Sequence, residues 1–157
     1  MRKIIPIIFF ILLSSCGYNA IYQNTQSNNL KINIINMNGD KEINDEIKKQ
    51  LNLKSKINSK ISYDVSLDTS YNKIILSKDS SGAVTNYQIV VVSNFKVNFK
   101  NQSTNFSFRE SVKIKNISDS LEKLSYERNL KKSFANSLQN KLILKLINLQ
   151  WLLSLLN

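Results

Sequence analysis

The possible folds of this chain are limited most strongly by four stretches in which apolar and polar residues alternate. This two-residue period is typical of a β-strand with one apolar face and one polar face. The stretches are residues 30–34, 61–67, 87–99 and 106–114. Residues 74–76 allow a longer second strand, and turns are predicted at 79–82 and 100–104. The sequence therefore predicts four strands, the last three of them joined as hairpins.

Two stretches have the helical period instead. Ile43, Ile47 and Leu51 recur every four residues after Gly39 and Asp40, which predicts a short amphipathic helix. A second helix is predicted to begin at Asp119, with Glu122 completing a capping box, and to run for about 30 residues or 45 Å. Its expected apolar stripe comprises Leu121, Leu124, Leu130, Phe134, Leu138, Leu142 and Leu146, and Glu127 and Lys131 are expected to pair.

The predicted fold class is α+β, with the element order β-α-β-β-β-α. A sheet that is apolar on one face buries that face against helices, so both helices are expected on the same side. The strand-helix-strand unit allows a parallel pair, while the later hairpins are antiparallel. We therefore expect a two-layer sandwich with a four-stranded mixed sheet.

The first fifteen residues resemble a lipoprotein signal peptide. Two basic residues, Arg2 and Lys3, precede a ten-residue apolar run that is about half as long as a bilayer span. Residues 13–17 read Leu-Ser-Ser-Cys-Gly and resemble the lipobox, in which the cysteine receives diacylglycerol and an acyl chain such as palmitate. We expect residues 1–15 to be removed, Cys16 to be the lipid attachment site, 16–29 to form a tether, and 30–157 to form one domain. Gly17, in place of aspartate, favours the outer membrane.

The composition argues against most catalytic chemistry. The chain has no histidine and a single cysteine, which removes the usual general base, the thiolate metal clusters and any internal disulfide. Asp64 and Asp68 form the closest carboxylate pair on one strand face. An extracytoplasmic hydrolase is thus a minor alternative, and we expect no enzyme activity and no cofactor beyond the lipid on Cys16.

The formal charge of +11 suggests an anionic partner. A competing cause is an AT-rich genome, because lysine codons are rich in A and T and such a genome raises the lysine content. The polar face of the predicted sheet carries Lys96, Arg109 and Lys113, and Lys100 lies in the adjoining turn. Such side chains suit the phosphate of a phosphorylated amphiphile. An ordinary solvated face is the alternative. Val90 and Val92 on the same face suggest a covered or ligand-binding patch.

The C-terminal stretch 142–156 contains eleven Leu, Ile or Trp residues among fifteen. It is too apolar for a one-sided surface helix and too short to span a bilayer. Burial against a partner is the favoured interpretation. Packing in the chain's own core and contact with a membrane interface are the alternatives.

The residues that follow the lipobox cysteine resemble the start of a known family. Cys16-Gly17-Tyr18-Asn19-Ala20-Ile21-Tyr22 is similar to the Cys-Gly-aromatic-x-Pro-Leu-Tyr start of the LPS-assembly lipoprotein LptE, in particular its alphaproteobacterial members. Ala20 stands where proline is common in that family. The order of the downstream elements is also similar over most of the chain.

The resemblance implies a lipid-anchored, periplasm-facing outer-membrane protein. Such a protein would plug the β-barrel LptD, help to assemble it and contact lipopolysaccharide during its transport to the cell surface. A lipoprotein subunit of the outer-membrane barrel-assembly machinery remains the alternative. Nucleic acid is not an expected partner, because export separates the chain from it.

Overall fold

The computed structural model describes residues 30–55, 59 and 61–155, with the backbone alone for residues 152–155. Cys16, the signal peptide and the tether lie outside the described residues. The predictions for those segments therefore stay predictions.

Four strands and two helices follow one another in the predicted order. They are β1 (Leu30–Gly39), α1 (Lys41–Lys54), β2 (Ile61–Lys78), β3 (Val84–Phe99), β4 (Gln102–Lys115) and α2 (Ser120–Leu155). The strands lie side by side in the order β1-β2-β3-β4. β1 is parallel to β2, and the other two pairs are antiparallel. The predicted α+β architecture with a mixed sheet is confirmed.

Two boundaries differ from the sequence prediction. β1 runs five residues beyond Ile34, because a bulge between Ile34 and Asn36 shifts the register and lets pairing with β2 continue to Gly39. The second hairpin turn is only Lys100 and Asn101, since Phe99 pairs directly with Gln102. Lys100 takes a positive φ of 50°, which closes this two-residue turn.

A glycine makes the corner between β1 and α1. Gly39 has a φ of +88°, and a Cβ built on it would lie 1.9 Å from the carbonyl oxygen of Thr69. The next amide, of Asp40, donates to that same oxygen at 2.7 Å. The Asp40 carboxylate then accepts from the Ile43 amide and caps α1. The chain therefore turns from strand into helix against the backbone of β2.

The core lies between the two helices and one face of the sheet. Ile43, Ile47 and Leu51 of α1 are fully buried, as their spacing predicted. These residues and α2 pack against buried apolar residues of β2 and β3, namely Tyr63, Val65, Leu67, Ile89, Val91, Phe95 and Val97. From Phe134 to Leu146 the stripe of α2 is buried in the same cluster.

The first turns of α2 depart from the prediction. Leu121 and Leu124 are 77% and 56% exposed, so the stripe does not begin until about Leu130. These turns lie near the end of the sheet, where less apolar surface is available to cover them. The predicted pairing of Glu127 with Lys131 is also wrong, because each finds a partner on another element.

Ion pairs attach α2 to three other elements. Glu127 pairs with Lys73 of β2 at 2.5 Å. Lys131 pairs with Asp40 and Glu42 at the start of α1, at 2.7 and 2.8 Å. These contacts hold α2 against β2 and against the negatively charged N-terminal end of α1.

A second group of contacts fixes the middle of α2. Lys141 pairs with Glu110 of β4 at 2.7 Å, and Ser137 donates a hydrogen bond to the same carboxylate. Lys54 at the end of α1 donates to the side-chain oxygen of Asn140 at 3.0 Å. Because these partners follow one another along both helices, α2 runs parallel to α1.

The 36 residues of α2 make it longer than the predicted 30, or about 54 Å at 1.5 Å per residue. Within the apolar C-terminal stretch, Leu142, Ile143 and Leu146 are buried in the chain's own core, whereas Leu144 and Trp151 are exposed. Ile147 and Leu149 are partly buried against the same core, so packing in the core accounts for this stretch as far as Leu149. Among the described helices, none has the length and apolar character needed to span a membrane.

Candidate binding face of the sheet

The two faces of the sheet have different surroundings. One face is covered by α1 and α2, and we call the opposite one the open face. On β3 the open face carries the even-numbered residues from Gln88 to Asn98, because the odd-numbered ones, such as Ile89 and Phe95, are in the core. The register between β2 and β3 places Asp64 and Asp68 of β2 on this face as well.

Three of the four cations predicted from the sequence lie in a line on the open face, and the fourth, Lys100, lies in the turn at the end of that line with its Nζ 5.4 Å from the ring centroid of Phe99. Lys113 is opposite Gln88 and Arg109 is opposite Val92, while Lys96 belongs to β3 itself and Lys100 follows in the turn. Projected onto β3, the four cations therefore lie at the levels of residues 88, 92, 96 and 100. We call Lys113, Arg109, Lys96 and Lys100 the cation row. All four are exposed, and among the described residues none of them is in an ion pair.

The spacing of the cation row determines how it can act. Four residues along a strand span about 13 Å, and the whole row spans about 40 Å. This separation exceeds the screening length of about 8 Å at physiological salt, so each cation acts nearly independently. The row cannot grip one phosphate with several side chains. It suits a long ligand, or a series of ligands, with anionic groups spread over several nanometres.

A polar groove crosses the open face at the level of Lys96. It has a volume of about 430 Å³. Its floor consists of two rows of side chains that lie across the strands in register. One row is Asn36, Ser66, Lys96 and Asn105, and the other is Asn38, Asp68, Asn94 and Ser107.

The chemistry of this polar groove suits hydroxyl groups. Four asparagine amides each offer donors and acceptors, and two serine hydroxyls add more. The single cation, Lys96, is offset by the single anion, Asp68. The polar groove is therefore nearly neutral and hydrogen-bonding, while the rest of the cation row supplies positive charge on either side.

The apolar residues of the open face contribute less than the sequence suggested. Val90 is only 3% exposed even though neither helix covers this face. Val92 is half-buried. Ile74, which pairs with Gln88 beside Val90, is 47% exposed. The expected apolar patch is therefore confined to the surroundings of Ile74 and Val92.

The lysines on the covered face, unlike the cation row, are in ion pairs. Lys73, Lys131 and Lys141 are all paired with carboxylates, and two of them also lie over tyrosine rings, Lys73 over Tyr87 at 4.4 Å and Lys131 over Tyr71 at 4.8 Å. Their charges are neutralised inside the fold. These lysines therefore stabilise the packing of α2, whereas the cation row has no ion pair among the described residues.

The titration of this covered layer reflects its burial. Burial first, and then the nearby Glu127 carboxylate, raise the pKa of the Tyr71 hydroxyl from 10.0 to about 12. Burial acts to lower the pKa of Lys131, but its hydrogen bonds with Asp40 and Glu42 outweigh burial and hold the pKa above its ordinary value. Lys131 is therefore firmly charged at neutral pH.

The carboxylates of the open face are poorly placed for acid-base catalysis. Asp64 and Asp68 are four residues apart on β2, about 13 Å along the strand, whereas paired catalytic carboxylates of glycosidases lie roughly 5–9.5 Å apart. Asp64 accepts a hydrogen bond from the Asn33 amide at 2.9 Å. Within the described part of the chain, no group of three or more metal-ligating side chains comes together.

Reasoning from the sequence found the cation row and missed the polar groove. The groove joins residues from all four strands, so it depends on the registers that bring Asn36, Ser66, Lys96 and Asn105 into line. The usable signal was the identity of the polar positions themselves. Asn94 and Asn98 lie on either side of Lys96, and Ser103, Asn105 and Ser107 recur at every second residue, on the face that was predicted to be polar.

Comparison with known proteins shows a shared fold. No protein-family model matches the chain, and no curated protein sequence matches it. The crystal structure of rare lipoprotein B from Shewanella oneidensis is similar, with a TM-score of 0.57 and 16% identity, covering 77% of this chain and 98% of that one. A candidate lipoprotein from Caulobacter crescentus has a TM-score of 0.52 and 12% identity, covering 78% and 90%.

Both of these proteins are described as lipoproteins, and this chain shares their fold. At 12–16% identity the likeness extends to the fold alone, and the residues of the open face must be argued on their own chemistry.

Proposed function

We propose that this chain is a non-enzymatic lipoprotein of the outer membrane that faces the periplasm. In this proposal Cys16 carries the diacylglycerol and acyl chain, and the domain binds inside the LptD barrel and helps to assemble it. The open face contacts lipopolysaccharide on its way to the cell surface. Lys96, Lys100, Arg109 and Lys113 are the residues proposed to meet its phosphates.

The observation that carries the proposal is the cation row beside the polar groove. Lipopolysaccharide combines widely spaced phosphates with sugar hydroxyls, and these two kinds of group match the two components of the open face. The four cations are exposed and unpaired among the described residues, so no internal ion pair must break before a phosphate binds. The lipoprotein fold and the lipobox support the anchor.

Affinity purification tests the partner directly. The mature chain, tagged and acylated, is isolated from outer membranes, and the proteins that copurify are identified by mass spectrometry. We expect LptD in near-stoichiometric amount. The Cys16→Ser variant, followed by metabolic labelling with a palmitate analogue, should remain unlabelled and unprocessed.

The same experiment separates the alternative. Recovery of the central barrel-assembly protein in place of LptD would assign the chain to the barrel-assembly machinery. Recovery of neither, or equal acylation of the Cys16→Ser variant, would contradict the proposal. A catalytic turnover by the purified chain would contradict its non-enzymatic part.

A further inference from the structure

The last turns of α2 leave the domain at the end where the tether enters. Leu30, the first residue of β1, lies at this end and pairs with Ile61. The Ile32 amide donates to the Ser55 hydroxyl at 3.1 Å, which brings the end of α1 to the same level. Lys54 beside it is bonded to Asn140 of α2. We call this end, with Leu30, Lys54 and the Lys100 turn, the tether end.

The remainder of α2 extends past these contacts. From Asn140 to Leu155 the helix continues for fifteen residues, or about 22 Å. Leu146 is the last fully buried residue of α2, and Ile147 and Leu149 are still partly buried against the core. The last turns therefore reach beyond the domain on the side from which the chain runs back to Cys16, and the 13 residues 17–29 span at most about 40 Å.

The chemistry of these turns is apolar and free of negative charge. Residues 146–157 contain eight Leu, Ile or Trp residues and no charged one. Trp151, the only tryptophan in the chain, is 59% exposed. No acidic residue follows Glu127 in the sequence, and the exposed Lys145 lies just before these turns. An apolar segment with a tryptophan and a flanking cation is typical of helices that lie at a membrane interface.

We propose that the segment from Gln150 to Asn157, which begins in the last turns of α2, inserts into the interface of an anionic bilayer beside the lipid anchor. The inference rests on the lipid attachment in the proposed function. The bilayer is favoured over a protein surface because the tether ends at this same end, and because Lys31, Lys54 and Lys100 there complement anionic headgroups.

A second contact with the membrane changes the orientation of the domain more than the strength with which the domain is held at the membrane. The acyl chains at Cys16 already hold the protein at the membrane, but a long tether allows the domain to rotate. Insertion of α2 directs the tether end toward the bilayer. The cation row then rises from Lys100 near the headgroups to Lys113 at the far end, about 40 Å away.

Trp151 provides a probe that needs no label. The mature chain with Cys16→Ser is mixed with vesicles of phosphatidylethanolamine and phosphatidylglycerol that carry brominated acyl chains. We expect a blue shift of Trp151 emission and quenching by the bromine atoms. Partition should be at least tenfold weaker into vesicles of phosphatidylcholine alone, because the cationic end then meets no net negative charge.

Two matched variants locate the contact on the helix. Leu152→Ser with Leu155→Ser should reduce vesicle partition at least tenfold. Leu121→Ser with Leu124→Ser changes two exposed leucines at the opposite end of α2 and should leave partition unchanged. Circular dichroism checks that both variants retain their helix content.

Three results would overturn the inference. They are a Trp151 spectrum that vesicles do not change, an equal loss of partition in both variants, and a Trp151 response to the purified barrel that anionic vesicles do not produce. The last result would assign these turns to a protein surface. Because the vesicle measurements use unacylated protein and no barrel, a negative result with vesicles leaves acylation and LptD binding to be judged separately.

Discussion

Both faces of the sheet carry basic side chains, but within the described part of the chain these are paired with carboxylates on one face and lack such partners on the other. On the covered face Lys73, Lys131 and Lys141 are each neutralised by a carboxylate of another element. On the open face the cation row has no such partners among the described residues. The difference teaches that positive charge in this chain has two uses: one stabilises the packing of α2, and the other remains available for anions.

Core packing should give the largest effect of any single substitution. Leu138 of α2 is fully buried, so Leu138→Ala leaves a cavity and is expected to lower the free energy of unfolding by about 3 kcal/mol. Arg109→Ala on the open face should change it by less than about 0.5 kcal/mol. Urea denaturation followed by circular dichroism measures both. Similar losses for the two would remove the distinction between the faces.

Removing the cation row should weaken ligand binding without affecting the fold. An exposed ion pair contributes about 0.5 kcal/mol, so replacing all four residues by glutamine should cost about 2 kcal/mol, or roughly a thirtyfold loss in lipopolysaccharide affinity. Each single change should cost about twofold, because the charges are too far apart to cooperate. Binding is measured with immobilised lipopolysaccharide at 0.15 M salt.

The matched control removes the same charge elsewhere. Lys48, Lys49, Arg128 and Lys132 are exposed residues of the helices and are not on the open face. Their replacement by glutamine should reduce affinity by less than threefold. If both quadruple variants lose affinity equally, net charge alone governs binding and the placement of the cation row has no role.

A paired lysine should show the reverse behaviour. Lys131→Met breaks the contacts with Asp40 and Glu42 and is expected to lower the free energy of unfolding by about 1–2 kcal/mol. Its affinity for lipopolysaccharide should be unchanged. A variant that folds with normal stability but binds poorly would show that Lys131 serves the ligand.

High pH should destabilise the covered layer slightly. Tyr71 has a pKa raised to about 12 in the fold, against about 10 in the unfolded chain, so its contribution is complete below pH 10 and is lost as the pH rises to 12. The raised pKa of Lys131 acts in the same direction. At pH 10.5 the loss from Tyr71 should be less than about 1 kcal/mol. Tyr71→Phe should make the decline shallower, and stability that rises above pH 10 would contradict the assignment.

Much of the fold could be read from local sequence periods. The alternation around 87–99 and 106–114 fixed which residues face the core, and with them the side of the sheet on which Lys96, Arg109 and Lys113 lie. Ile43, Ile47 and Leu51 predicted the buried stripe of α1. These features depend only on neighbours within a few residues, so one sequence is enough to find them.

Features set by distant parts of the chain could not be predicted. The polar groove needs the registers of four strands, and the exposure of Leu121 and Leu124 depends on where the sheet ends. Glu127 and Lys131 have the correct spacing for a helical pair, yet each binds a partner on another element that no local rule identifies. The one-residue bulge after Ile34 likewise lengthened β1 beyond its apparent end.

Site-specific crosslinking to lipopolysaccharide tests the central claim most directly. A photoreactive amino acid is placed at Asn105 or Ser107 in the polar groove, and at Lys48 or Lys132 on the helices as exposed controls. Cells that are transporting lipopolysaccharide are irradiated, and adducts are detected with an antibody against it. We predict strong adducts from the two groove positions and little from the helices. Adducts of equal strength from both sets, or from the helices alone, would contradict the assignment of the open face as the ligand-binding surface.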